Sequence, residues 1–250
     1  MKILSVMNQK GGTGKTTTAV NLSSALTKLN QKILLIDFDP QGNATSNLNI
    51  NKHEGYSIYD VLVNKQDINT VVEKVVDKLD LIKANISLAK GEQELVFQTA
   101  RETKFKKALS QIKKKYDYVI LDCPPSLGLL TINALCASTH VIIPIETAEF
   151  PIEGISDIFD TIEIIKEEVN PNLKIMGILL TKYDSRTSIS KMIFAQLKNE
   201  LGDLLFKSII KVNIKITEAQ FDKKPVDIYA PKCKGALNYK ELAEEVLKSE

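Results

Sequence analysis

The chain has 250 residues, of which 44% are hydrophobic and 26% charged, with a formal net charge of +2. This is the make-up of an ordinary soluble globular protein, long enough for a substantial core and suited to a single α/β domain over residues 1–250. The small net charge excludes nucleic-acid binding through overall basicity and leaves only a local patch for it, and three widely spaced cysteines (Cys123, Cys136, Cys233) without a C-x-x-C argue against a disulfide framework or zinc site and fit a reducing cytoplasm.

Residues 1–7 read as a short apolar strand carrying Ile3, Leu4, Val6 and Met7. Only Lys2 precedes the apolar run, and it leads straight into a glycine-rich loop, which is the pattern of a strand and not of a secretory signal. No run in the chain reaches the length of a membrane-spanning helix. The loop is Asn8-Gln9-Lys10-Gly11-Gly12-Thr13-Gly14-Lys15-Thr16-Thr17, and residues 18–29 follow with Ala19, Leu22, Ala25, Leu26 and Leu29 at helical spacing. Strand, glycine-rich loop and helix in that order form the setting of a phosphate-binding loop. Gly11, Gly12 and Gly14 can take positive φ and wrap closely round an oxyanion, with their N–H groups turned inward at the positive end of the helix. Lys15 supplies a mobile charge for β- and γ-phosphates, and the Thr16 hydroxyl is placed for Mg²⁺. The nucleotide-binding candidates are thus Lys10, Gly11, Gly12, Thr13, Gly14, Lys15, Thr16 and Thr17. The usual pattern wants a glycine where Gln9 stands; instead a second lysine, Lys10, opens the loop, the K-G-G-x-x-K-[ST] form known as the deviant Walker A.

After a turn at Gln31-Lys32, Ile33-Leu34-Leu35-Ile36 reads as a buried strand ending in Asp37-Phe38-Asp39-Pro40-Gln41-Gly42-Asn43. Strand C-termini in a parallel sheet face the ligand crevice, so Asp37 and Asp39 are expected beside the phosphate loop; the same residue types also make plain acidic turns. Residues 40–47 read as a switch loop, 57–62 as a short helix, 69–78 as a helical segment and 79–84 as a strand. Residues 88–115 have helical periodicity and end in a basic stretch of Arg101, Lys104, Lys106, Lys107, Lys113, Lys114 and Lys115. The stretch reads as a solvated helix face, with a DNA-facing surface as the other reading.

Residues 116–122 form an apolar strand ending in Asp122, a Walker B element whose carboxylate would hold Mg²⁺ directly or through water. Cys123-Pro124-Pro125-Ser126-Leu127-Gly128 reads as a second switch loop stiffened by two prolines, with Cys123 a small buried residue. Helices at residues 129–137, 152–169, 189–201 and 235–247, with a short helix or turn at 213–221, alternate with strands at 139–145, 174–181 and 204–210. Such alternation predicts an α/β fold with a mostly parallel twisted sheet and helices on both faces.

These stretches together resemble the ParA/Soj family of DNA-partition ATPases, within the deviant-Walker P-loop class that includes MinD. The residues that carry the resemblance are the loop from Asn8 to Thr18, Ile36-Asp37-Phe38-Asp39-Pro40-Gln41-Gly42-Asn43-Ala44-Thr45 and Leu121-Asp122-Cys123-Pro124-Pro125-Ser126-Leu127-Gly128. Further along are Leu180-Thr181-Lys182-Tyr183-Asp184-Ser185-Arg186-Thr187, Asn213-Ile214-Lys215-Ile216-Thr217-Glu218-Ala219 and Lys234-Gly235-Ala236. They run in family order through essentially the full length. The resemblance implies an ATP- and Mg²⁺-binding enzyme that forms an ATP-dependent sandwich homodimer, hydrolyses ATP slowly under stimulation by a ParB-like partner, and binds DNA nonspecifically on the cytoplasmic nucleoid. It makes Lys10 the signature lysine that reaches the partner's phosphates, in the manner of an arginine finger, beside Lys15. Asp39 positions the attacking water, Asp37 serves the Mg²⁺ shell with Thr16 and Asp122, Asn213 meets the adenine, and Arg186 and Lys215 contact DNA. The chain departs from the family's Pro-Arg-Asn-Val-Arg at Lys211-Val212-Asn213-Ile214-Lys215. Between residues 206 and 240, Lys207, Lys211, Lys215, Lys223, Lys224, Lys232, Lys234 and Lys240 outnumber Glu218, Asp222 and Asp227, the local excess that phosphate contact needs.

Three other readings compete. A MinD-like membrane-positioning ATPase would end in a basic amphipathic helix, whereas residues 241–250 are acidic on their polar side. A metal-cluster carrier of the same fold class would need paired cysteines, and only Cys123 and Cys136 from two chains could converge. A nucleotide switch without turnover would not need Asp39. No helix-turn-helix domain precedes the loop, so operator autoregulation is not expected.

Overall fold

Six largely apolar runs and one mixed edge strand pair into one sheet. The computed structural model describes residues 1–147 and 152–249, with the backbone alone for residues 152–155. Its strands are β1 (Lys2–Val6), β2 (Ile33–Asp37), β3 (Val72–Val76), β4 (Leu79–Ile82), β5 (Tyr118–Asp122), β6 (His140–Glu146) and β7 (Lys174–Thr181). The order across the sheet is β3-β4-β2-β5-β1-β6-β7, parallel throughout except for β3, which lies antiparallel on the β4 edge. The helices are α1 (Lys15–Lys28), α2 (Asn43–Asn47), α3 (Ile58–Leu62), α4 (Ser87–Leu95), α5 (Lys104–Leu109) and α6 (Leu129–Ala137) in the first part of the chain. α7 (Ile152–Glu168), α8 (Ser188–Leu201), α9 (Ile214–Phe221), α10 (Val226–Tyr229) and α11 (Lys234–Lys248) complete them.

A strand covered on both faces must be apolar at every position, because successive side chains point to opposite sides. β2 follows that rule. Ile33 and Leu35 pack into one core with Leu22 and Leu26 of α1 and Tyr239, Leu242 and Val246 of α11. Leu34 and Ile36 pack into the other with Phe105 of α5, Leu130 and Ala134 of α6, and Ile158 and Ile162 of α7. The expected parallel sheet with helices on both faces is therefore the observed one.

What matters for function is register. Asp122 at the end of β5 pairs with Asp37 at the end of β2 and with Val6 at the end of β1. The connection from β1 goes past β5 to β2, whereas β5 connects to β6 on the far side of β1. That reversal opens a crevice at the strand C-termini, and it gathers three motifs far apart in sequence.

Four local readings change. Residues 69–78 were expected to be helical. They instead form a single 3₁₀ turn and then β3, a half-buried edge strand of Val72, Val75 and Val76 with Glu73 and Lys74 between them. The β-branched content and the turn at Lys78 (φ 62°) favour a hairpin with β4. The helical run at 88–115 is broken at Ala100, which takes a φ of 51°, so α4 and α5 are separate. The basic residues Lys106 and Lys107 are exposed while Phe105 and Leu109 are buried, as a solvated helix face requires. Residues 204–210 make a single isolated bridge to β7, Leu205 with Ile178, although Phe206 and Ile210 donate backbone bonds to Ile178 and Leu180. The switch loop at 40–47 contains α2.

Gly177 shows how tightly this edge is packed. A Cβ there would stand 2.6 Å from the Phe206 ring. Gly177→Ala is expected to destabilise the fold by about 1–3 kcal/mol through overpacking, read as a lowered urea midpoint with an unchanged m-value.

Candidate functional site

The backbone leaves β1 at Val6 and turns through residues 7–14 before α1 begins at Lys15. Gly12 and Gly14 hold φ of 80° and 87°, which only glycine adopts without strain. Gly14 stands at the N-cap of α1, where no side chain caps the helix. Its first N–H groups are thus left for an anion at the positive end of the helix dipole.

Polar side chains hold the loop in this shape. Asn8 donates from Nδ2 to the Pro144 carbonyl of β6 at 2.8 Å and accepts from Lys10 N–H on Oδ1 at 2.9 Å. The Thr181 hydroxyl, at the end of β7, lies 2.9 Å from the Thr13 carbonyl oxygen and 3.0 Å from that of Ile145, one hydrogen serving both. Lys15 Nζ donates to the Lys10 carbonyl at 2.7 Å. Lys15 is buried, and that burial lowers its pKa against the opposing pull of Asp122, Cys123 and Asp39. Lys10 is exposed at the mouth of the loop.

The floor of the site is acidic. Asp37 and Asp122 are both fully buried. Asp37 Oδ2 accepts from the Thr45 N–H at 2.9 Å and hydroxyl at 2.7 Å, and Oδ1 accepts from the Asp39 N–H at 3.1 Å. Burial pushes this carboxyl up to about 6 in spite of those bonds. Asp122 is different. The Thr16 hydroxyl lies near enough to stabilise its charge somewhat, but no hydrogen bond of good geometry reaches either oxygen. Burial, and then the charge of Asp37, hold Asp122 well above the usual carboxylate range. Asp39 is also buried; its Oδ1 accepts from the Gln41 N–H at 2.9 Å, and its charge is felt at Lys15, Asp37 and Asp122 alike.

Two buried carboxylates side by side, one of them unpartnered, call for positive charge. Lys15 is one source. A divalent cation is the other chemistry that fits, with the Asp122 carboxylate and Thr16 hydroxyl as protein donors. Among the described residues no trio of His, Cys, Asp and Glu is placed to hold a metal, so water and phosphate oxygens would complete the shell, as is usual for a small hard ion. Asp37 belongs to the same floor, with both oxygens committed to the loop that follows it.

Beside the loop lies a largely apolar cavity of about 310 Å³, lined by Gly14, Thr17, Ile210, Asn213, Ile216 and Tyr239 among others. Its size and lining suit a flat heteroaromatic group. Asn213 caps α9, its Oδ1 accepting from Lys215 N–H at 2.9 Å, so its amide NH₂ is the group available to a ligand. Gln220 Nε2 donates to the Thr17 hydroxyl at 2.7 Å and ties α9 to α1 at the cavity wall.

The structure therefore brings together Lys10 through Thr17, Asp37, Asp39, Asp122 and Asn213. It places Arg186 and Lys215 on two segments joined through backbone bonds between Tyr183 and residues 210–212. Both are exposed and each has an acidic partner at 2.7 Å, Asp184 and Glu218 respectively. Sequence reading missed Asn8, Thr45, Thr181 and Gln220 as supports. Asn8, Thr45 and Thr181 lie inside the quoted stretches and Gln220 directly follows one, but nothing in the local pattern assigns them a supporting bond. Cys123 and Cys136 are buried, their thiols pushed up to about 12 and about 11 chiefly by that burial.

The chain as a whole is similar to several known proteins. A family described as "AAA domain" matches residues 1–175. The chain is 44% identical to the sporulation initiation inhibitor protein Soj of Bacillus subtilis over 98% of each chain. It is 40% identical to the chromosome-partitioning ATPase Soj of Treponema pallidum, over 98% of this chain and 97% of that one. Among solved structures, cobyrinic acid a,c-diamide synthase of Mycobacterium smegmatis, with a bound ATP analog and magnesium, superposes with a TM-score of 0.87 at 33% identity. That match covers 99% of this chain and 95% of the other.

A carboxylate whose folded pKa lies above its unfolded value weakens the folded state at neutral pH, and the penalty fades as pH falls towards 4. Asp122→Asn, measured with chelator and without nucleotide, is expected to raise stability at pH 7 by about 1–3 kcal/mol. Its melting temperature should also vary less between pH 7 and pH 4 than that of the wild type. An unchanged melting temperature and pH profile would remove the buried charge from the account.

Proposed function

The chain belongs to the ParA/Soj family of chromosome-partitioning ATPases, and we propose that it is a Mg²⁺-dependent ATPase whose ATP-bound homodimer binds DNA nonspecifically and lets go on hydrolysis. The observation that carries the reading is the contrast between two lysines of one loop. Lys15 is buried against the loop's own backbone, and Lys10 is exposed at its mouth. The first serves its own nucleotide; the second reaches that of a second protomer.

Each group then has a defined task. The loop amides and Lys15 hold the β- and γ-phosphates, and Asn213 and the apolar cavity hold the adenine. Thr16 and Asp122 hold Mg²⁺, which screens the phosphate charge. Asp39 orients the attacking water and takes its proton. Lys10 of one protomer stabilises the charge that develops on its partner's phosphates. Since Lys10 needs those phosphates to offset the repulsion of two facing loops, ATP selects the dimer and hydrolysis releases it. A ParB-like protein would stimulate the turnover, and Arg186 and Lys215 on their joined segments would face the DNA phosphates. The MinD-like reading loses support from α11, whose apolar face (Tyr239, Leu242, Ala243 and Val246) is buried in the core and is not offered to a lipid surface.

DNA binding measured with ATP, with ADP and without nucleotide across a salt series tests the proposal. Binding should require ATP, and log K should fall linearly with log salt. Salt-insensitive binding, or binding independent of nucleotide, would count against it. Lys10→Ala should keep monomer ATP binding while ATP-dependent dimerisation and turnover fall by at least about 10²-fold; an ATP-induced dimer in that variant would refute the role in trans. Asp39→Ala should trap the ATP dimer on DNA, so undiminished hydrolysis would take Asp39 out of the mechanism.

A further inference from the structure

We infer that Lys182 is a nucleotide-contacting residue, its stem walling the base cavity and its ammonium reaching the sugar–phosphate segment above the phosphate loop. The inference rests on the nucleotide reading above and adds to it a positive group outside the loop itself.

Lys182 directly follows Thr181, the residue that ties β7 to the Thr13 carbonyl of the loop. It takes a φ of 51°, a left-handed conformation that is strained for a residue with a Cβ. The residues on either side are fixed, Thr181 by its hydroxyl bonds and Tyr183 by backbone bonds to Ile210 and Val212. The left-handed turn between them carries the side chain across the loop. Lys182 lines the same cavity as Gly14, Thr17 and Asn213, and its Nζ lies 3.8 Å from where a Cβ on Gly12 would stand. Gly12 is one of the two positive-φ glycines that shape the phosphate cradle. One side chain thus spans the interval between base cavity and cradle, where the sugar and first phosphate of a nucleoside di- or triphosphate must pass.

Glu146, at the end of β6, holds the ammonium at 2.8 Å. The Lys182 side chain is 54% exposed and that of Glu146 27%. A half-exposed pair of this kind contributes little to stability, so it does not explain why a strained backbone is kept. Its geometry fits a charge held in readiness at a ligand. The stem offers methylenes to a flat base, as long basic side chains do, and the ammonium offers three donors to sugar and phosphate oxygens.

The test is direct binding of fluorescently labelled ADP and ATP to the wild type, Lys182→Met and Lys182→Arg, at low and high salt, with nucleotide-free melting curves alongside. Lys182→Met keeps the stem and removes the charge. It should weaken both nucleotides about five- to tenfold at low salt, with a smaller deficit at high salt, since the lost interaction is a partly screened charge. Lys182→Arg should restore most of the affinity. Wild-type affinity in Lys182→Met, with a normal melting curve, would overturn the inference. A wild type that fails to bind ADP would instead bring down the nucleotide reading beneath it. Should Lys182→Met fold poorly, limited acetylation of the wild type decides. Lys182 modification that slows several-fold with ADP, while exposed Lys198 is unaffected, supports the contact; an unchanged Lys182 rate overturns it.

Discussion

Asp122 is a carboxylate held at the end of a central parallel strand, fully buried and without a hydrogen bond of good geometry, in register with a second buried carboxylate. Very little stabilises that arrangement except positive charge. The site is built to supply it: Lys15 lies close enough to lower the carboxylate's pKa, and the uncapped N-terminus of α1 opens beside it. On the function proposed above, a cation and a phosphate chain would relieve this unfavourable charge together. Binding free energy is then returned to the fold, which couples ligand occupancy to stability.

The same constraint reaches the neighbouring loop. Asp37 is relieved by Thr45, whose hydroxyl also accepts from the Ala84 N–H at 3.1 Å. A line of hydrogen bonds therefore runs from the end of β2 through α2 to the segment after β4. Gly42 completes it, with a φ of 63° and room for no Cβ, since one would meet the Ala84 carbonyl oxygen at 2.8 Å. Residues 38–45 are anchored at several points, and a nucleotide-dependent movement there must break named bonds in a discrete step. On the opposite side, Thr181 does the corresponding work by joining the loop to β6 and β7. The phosphate loop is thus clamped from the β6 and β7 side of β1, and its geometry follows from the sheet.

Local chemistry made much of this legible beforehand. The spacing from Lys10 to Thr17 needs no tertiary information, because loop curvature, amide donors and lysine charge all belong to one short stretch. The ends of β2 and β5 were equally readable, since apolar runs closing on aspartate mark strand C-termini in a parallel sheet. The weaker readings came where local preference is indifferent. Residues 69–78 are half polar, and only pairing with β4 makes them a strand. Residues 204–210 have strand-like composition but meet β7 at one isolated bridge. The helical period over 88–115 carries no sign that Ala100 would turn left-handed. The positive character of Arg186 and Lys215 was plain, whereas their pairing with Asp184 and Glu218 depends on rotamers and short turns.

The sequence by itself determined the phosphate loop with its extra lysine, the two acidic strand ends and the α/β alternation, because each is encoded within a few consecutive residues. Only the tertiary structure decided that Asp37 is committed to Thr45 while no hydrogen bond of good geometry reaches Asp122, that Thr181 clamps the loop, and that Lys182 lines the apolar cavity with its ammonium near Gly12. Those facts depend on strand register and on contacts between residues more than a hundred positions apart in several cases, and the burial that gives the carboxylates their chemistry exists only once the two cores have closed over the sheet.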